Sequence, residues 1–232
     1  MKNKLGIICA MEEELAPLLL KLQKKKQTNK ANMIFYSGKI DNLDTVLVVS
    51  GIGKVNASIC TQILIDDFKI SHVINSGVAG GVKKEIQPLD VVIGTSLIQH
   101  DMDATAFGHK VGEIPRLSKI NFDSDPTLVD LAYKASLKNT SYNTYKGIIV
   151  TGDQFVSSKD KVESLYKDFN ALACEMEGAA VAQTAFLNNI PFLVIRAISD
   201  NANSGASIDF IYFKNKAALN SLKIIEEIIS FL

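Results

Sequence analysis

Ala173 to Asp200 reads A-C-E-M-E-G-A-A-V-A-Q-T-A-F-L-N-N-I-P-F-L-V-I-R-A-I-S-D, and its two halves carry different periods. Met176 to Leu187 spaces small apolar residues as a helix does. Ile190 to Ile198 is a near-continuous apolar run of strand length, the pattern of a strand covered on both faces. Glu175, Glu177, Arg196 and Asp200 interrupt this apolar segment. Glu175 and Glu177 fall at the start of the helix, where free N–H groups and the macrodipole favour an anion. Asp200 falls where the buried strand ends, and ligands of open α/β sheets bind at the carboxyl ends of strands. Three acids and an arginine around a buried strand point to a site, because a buried charge is costly without a partner.

Working outward, strand and helix patterns alternate along the chain. Lys4 to Ala10 is a short apolar strand, followed at once by Met11-Glu12-Glu13-Glu14 and a helix predicted over Leu15 to Lys25. Two of the three glutamates suit the helix N-terminus; one can turn back over the strand end into a cleft. Met33 to Ile40 and Thr45 to Ser50 read as antiparallel strands about an Asp41-Asn42 turn. S-G-I-G-K, Ser50 to Lys54, is a tight strand-to-helix junction that lacks the spacing of a phosphate-binding loop. Ser71 to Asn75 is a buried strand that ends in S-G-V-A-G-G, Ser76 to Gly81, either a simple turn or bare backbone for a flat ligand. His100 to Arg116 is a polar loop whose histidines and aspartates match no metal-ligand spacing. A helix starts at Asp123-Ser124-Asp125-Pro126, a strand runs from Gly147 to Thr151, and a long helix from Phe210 closes the chain. The expectation is one domain over residues 1–232: α/β, three layers, a mixed central sheet flanked by helices.

Composition removes several functions. Of 232 residues, 47% are hydrophobic and 22% charged, ordinary for a folded protein. Lys+Arg and Asp+Glu are 25 each, so neither nucleic acid nor a membrane surface is expected as partner. Cys9, Cys60 and Cys174 lie apart in apolar segments, as buried reduced thiols do. With no leader pattern and no apolar run of spanning length, a cytoplasmic protein is expected. The arginines are Arg116 and Arg196 alone, too few for the guanidinium forks that grip phosphate.

Taken together and in order, G-I-I-C-A-M-E-E-E, S-G-I-G-K, S-G-V-A-G-G, D-A-T-A-F-G, T-G-D-Q-F-V, C-E-M-E-G-A-A and V-I-R-A-I-S-D resemble the 5′-methylthioadenosine/S-adenosylhomocysteine nucleosidases of the nucleoside phosphorylase/hydrolase superfamily. The resemblance covers essentially the whole chain. It implies hydrolysis of adenine nucleosides at the N-glycosidic bond, with no cofactor and no metal. Asp200 matches the acid that protonates adenine N7, held by Ser199, and Glu14 matches the group that activates water. Glu177 matches the carboxylate on the ribose hydroxyls, with Met176 under the sugar, and Arg196 matches an arginine near the ribose and the catalytic carboxylates. Phe155 and Val156 match the adenine-stacking segment; Met11, Ile52 and Phe210 match the wall around the ribose and the 5′-thio group. Val78, Ala79 and Gly80, in the glycine-rich stretch, and Glu175 complete the expected substrate contacts. Ala104, Phe107 and Pro115 match a loop that reaches into a neighbouring subunit's site, which implies a homodimer. Val78, Ala104 and His109 depart from residues common in the family. A purine nucleoside phosphorylase, a futalosine-type hydrolase or a non-catalytic nucleoside-binding protein remain the rival readings.

Overall fold

The apolar run that ends at Asp200 forms a strand in which every residue from Phe192 to Asp200 is buried. The computed structural model describes residues 3–117, 119–139, 142–201 and 206–232. In chain order the elements are β1 (Lys4–Cys9), α1 (Glu12–Leu19), β2 (Gln23–Lys30), β3 (Met33–Ile40), β4 (Leu43–Val49), α2 (Lys54–Asp66), β5 (His72–Gly81) and β6 (Val91–Gln99). After a loop with a single 3-10 turn (Thr105–Phe107) come β7 (Phe122–Asp123), α3 (Pro126–Asn139), β8 (Thr144–Thr151), α4 (Lys159–Phe169), β9 (Ala171–Glu175), α5 (Gly178–Leu187), β10 (Phe192–Asp200) and α6 (Ala206–Phe231).

The sheet is mixed. β10, β5, β1 and β4 run parallel in that spatial order, so their carboxyl ends share one edge. β3 and β2 extend the far side antiparallel. On the other side β6 pairs antiparallel with β10, followed by β8 and β9 in parallel. β9 then returns antiparallel onto Gly80 and Gly81 of β5. β5, β10, β6, β8 and β9 thus close on one another at the edge where Asp200 and Glu175 emerge.

Period-two alternation sends the strands' side chains into two cores. Ile7, Cys9, Ile74, Leu193 and Ile195 pack with α1, α3 and α6 side chains such as Leu18, Leu128 and Ile225. Ile8, Val73, Val194 and Ile198 pack on the opposite face with Cys60 and Leu64 of α2 and Ala180 and Val181 of α5. The small residues of α5 bring that helix close to the sheet, fixing where its N-terminus, and so Glu177, stands. Each buried leucine or isoleucine contributes about 1.5–3 kcal/mol.

The Asp41-Asn42 turn forms as expected, with φ of 45° and 73°, the two left-handed residues of a tight hairpin. Two elements differ from expectation. The helix predicted through Lys25 stops at Leu19, and Gln23–Lys30 forms an edge strand whose residues are all exposed. Such a strand has no buried face to impose alternation, and its lysines guard the edge against pairing with other chains. The glycine-rich Ser76 to Gly81 is not a turn but the second half of β5.

Candidate active site

Three consecutive glutamates open α1, and the helix itself selects one. Met11 is the N-cap, which makes Glu14 the third helical residue, the position whose side chain reaches back to the N-cap. Glu14 Oε2 accepts the N–H groups of Ala10 and Met11 at 3.0 Å each, and Oε1 accepts that of Val78 at 2.9 Å. Glu14 is buried while Glu12 and Glu13 remain exposed. Burial raises its pKa above the ordinary carboxylate range, partly opposed by Arg196 and by the three amides.

The second cluster forms where β9 passes into α5. Glu175 Oε2 accepts the N–H groups of Glu177 at 3.0 Å and Gly178 at 2.7 Å, sealing the first turn of α5. Thr151 donates its hydroxyl to the other oxygen of Glu175 and accepts the Ala179 N–H at 2.8 Å. Arg196, 1% exposed, donates Nη2 to Glu175 and to Asn75 Oδ1, the latter at 2.5 Å, and stands 4.0 Å from Glu177 Oε2. Glu177 in turn accepts the Gly53 N–H at 2.8 Å. Its pKa is pushed up to about 7, first by burial and then by the charge of Glu175, against the pull of Arg196 and Gly53.

The S-G-I-G-K junction is clamped to the loop after β8. Lys54 donates its backbone N–H to Asp153 at 2.8 Å and its ammonium to Asp101 at 2.6 Å, while Asp153 N–H reaches Asp101 at 3.0 Å. Gly53 has φ of 98°, and a Cβ there would meet Asp153 Oδ1 at 3.1 Å. This network carries Gln154, Phe155 and Val156 to the mouth of the site.

At the end of β10, Ser199 donates its hydroxyl to Asp200 Oδ2 at 2.8 Å, and Asp200 is 2% exposed. A cavity of about 250 Å³ lies between these groups. Met11, Glu14, Ile52, Val78, Ala79, Gly80, Phe155, Val156, Glu175, Met176, Glu177, Ser199 and Asp200, all singled out in the sequence, line it. Arg196 does not line it; the guanidinium lies beneath the carboxylates and joins them. Phe210 belongs to α6, with its side chain outside the described residues. Ala104, Phe107 and Pro115 do not line the cavity of their own chain, and Phe107 is 86% exposed. Ala10, Gln154 and Cys174 line it without having been singled out as contacts. Each neighbours a chosen residue (Met11, Phe155 or Glu175), and that adjacency was the available signal. Burial, with Asp200 and Glu175 nearby, holds the Cys174 thiol protonated, which removes it as a nucleophile.

The arrangement is a small, mostly apolar cleft with carboxyl groups entering from the ends of two strands, β9 and β10, and from two helix N-termini, those of α1 and α5. Among the described lining residues none is lysine, arginine or histidine. A family model described as the phosphorylase superfamily matches residues 4–230. A 5′-methylthioadenosine/S-adenosylhomocysteine nucleosidase of an Exiguobacterium species is 41% identical over 223 residues, covering 96% of this chain and 95% of its own. The chain belongs to the 5′-methylthioadenosine/S-adenosylhomocysteine nucleosidases. The crystal structure of such a nucleosidase from Neisseria meningitidis, in complex with methylthio-immucillin-A, matches with a TM-score of 0.96 and 39% identity, over 99% of this chain and 100% of that one. The native structure of the Helicobacter pylori futalosine hydrolase matches with a TM-score of 0.94 and 35% identity, over 99% and 98%. For a member of the nucleosidase family, the cavity stands at the carboxyl edge of the parallel strands, where the fold places ligands.

Proposed function

We propose that this chain hydrolyses the N-glycosidic bond of 5′-methylthioadenosine and S-adenosylhomocysteine, and of 5′-deoxyadenosine, to adenine and the corresponding ribose. Asp200, oriented by Ser199, donates a proton to adenine N7 as the bond from nitrogen to the anomeric carbon breaks. Glu14 takes a proton from the water that attacks that carbon. Glu177 holds the ribose hydroxyls, and with Glu175 it sets negative charge near the oxocarbenium-like sugar, where such charge stabilises the transition state. Phe155 and Val156 flank the purine; Met11, Ile52 and Phe210 flank the 5′-thio group. The observation that carries this reading is Glu14: a buried carboxylate held by three backbone amides, in a cleft whose described lining offers no cation for phosphate. Water is then the better-served nucleophile. No cofactor or metal enters the reaction.

The working unit we propose is a homodimer in the cytoplasm. Ile52, Val55 and Ile59 form an exposed apolar row at the start of α2, and Phe107 is more exposed still; a second copy would cover them. Ala104, Phe107 and Pro115 then reach the site of that second copy. The three cysteines are free and buried, as suits a reducing compartment, and among the described residues no helix is long and apolar enough to cross a membrane. Sedimentation of wild type and Phe107→Asp tests the dimer: a wild-type monomer rejects it. A futalosine-type hydrolase is the second reading, supported by the likeness to that enzyme. Adenine release from methylthioadenosine, S-adenosylhomocysteine and aminofutalosine, ranked by kcat/KM, decides between them.

A further inference from the structure

β10, β5, β1 and β4 are parallel neighbours, so their carboxyl ends line up along one edge of the sheet. In that order the edge presents Asp200, then Val78 to Gly80, then Met11, then Gly51 and Ile52. From β10 to β4 there are three inter-strand steps, about 14 Å in all. On the reading under Proposed function, an adenosine lies along this edge with its purine at Asp200 and its 5′ end at Met11 and Ile52. Any longer 5′ substituent therefore leaves the first cavity at β4.

A second cavity of about 600 Å³ begins there. It runs under α1 toward β3, and its walls include Glu12, Asn32, Tyr36, Ser50, Gly51 and Asn56. Chain neighbours line the two cavities: Met11 lines the first and Glu12 the second, and Ile52 the first and Gly51 the second. Where the first is lined mainly by apolar groups, the second carries a carboxylate, two side-chain amides and a phenol. Glu12 makes no hydrogen bond or ion pair with any described residue, whereas its helix neighbour Glu14 spends both oxygens on backbone amides.

We propose that this second cavity receives the amino-acid end of S-adenosylhomocysteine, with the Glu12 carboxylate facing its ammonium group and side-chain amides of the cavity wall facing its carboxylate. The inference rests on the substrate orientation given above. It makes Glu12 a specificity residue that touches one substrate and not the other, because the methyl group of methylthioadenosine ends at Met11 and Ile52. An uncharged butylthio substituent enters the cavity without engaging Glu12.

The test is steady-state kinetics of wild type, Glu12→Gln and Glu12→Lys with three substrates: methylthioadenosine, its butylthio analogue and S-adenosylhomocysteine. Losing one charge-assisted contact weakens binding by about tenfold or more, so the expected result is a KM for S-adenosylhomocysteine raised by that factor in Glu12→Gln, and further in Glu12→Lys. Its kcat, and both constants for the two uncharged-tail substrates, should hold within about twofold. Unchanged KM for all three substrates overturns the proposal. Equal losses on all three also overturn it, since Glu12 would then act through the shared ribose site. Wild-type protein that cleaves none of the three overturns the hydrolase reading itself, and the tail site with it.

Discussion

Gly77 lies so close to Glu14 that a Cβ added to it would sit 2.7 Å from Glu14 Oε1 and 3.3 Å from Arg196 Nη1. The absent side chain on β5 is what lets the α1 carboxylate dock on the strand and accept the Val78 N–H. Gly77→Ala should push the carboxylate off that amide and lower kcat about 100-fold, the typical contribution of one positioned base. Steady-state kinetics beside a thermal melt separates this from unfolding: kcat should fall while the fold survives. Normal kcat would mean that the Glu14 position does not matter.

Glu14→Gln and Asp200→Asn keep shape and remove proton transfer. Each is expected to cost about 10²–10⁴ in rate. Single-turnover adenine release checks both. Near-normal release from either variant would remove that residue from the mechanism.

Arg196 is the sole described cation in contact with Glu175 and Glu177. Arg196→Met leaves two buried carboxylates without their counter-charge, which should destabilise the fold by about 3–5 kcal/mol. Urea unfolding measures it. A loss of activity with unchanged stability would instead give Arg196 a direct part in the chemistry.

Glu177 has a folded pKa of about 7, above the ordinary carboxylate value of about 4.3. Between these values the folded protein binds a proton that the unfolded chain has released, so this group's contribution to stability falls as pH rises from about 4.3 to about 7, then levels off. Glu14 shifts in the same direction and adds to the slope. Activity should move the opposite way, since the charged form of Glu177 serves the cationic sugar: kcat/KM is expected to rise through about pH 7. The residual activity of Glu177→Gln should lack that limb. Persistence of the limb in this variant would assign it to another group.

Much of this was readable from residues alone, for reasons that differ by element. β10 was legible because a strand buried on both faces must be apolar throughout, so Arg196 and Asp200 stood out against it. α5 was legible because its small apolar residues repeat at helical spacing. β2 was not, since Q-K-K-K-Q-T-N-K has no buried face and so no pattern. The second half of β5 reads either as a turn or as bare backbone for a ligand because glycines suit both; it is a strand that lines the cavity, and one of its glycines makes room for a carboxylate from another element, a contact that chain order does not reveal. For the same reason Arg196 was placed beside the ribose from its motif, whereas its burial under Glu175 follows from the β10 register. That one of three glutamates turns inward was foreseeable, and the reason it is Glu14 is the helix N-cap geometry.

The central claim is that water, activated by Glu14, attacks the sugar. The most direct measurement is adenine release from methylthioadenosine in phosphate-free, heavy-oxygen water, repeated with added phosphate. Full release without phosphate is expected, with free methylthioribose carrying the heavy oxygen at its anomeric carbon. Release that depends on phosphate, with a sugar phosphate as product, would contradict it.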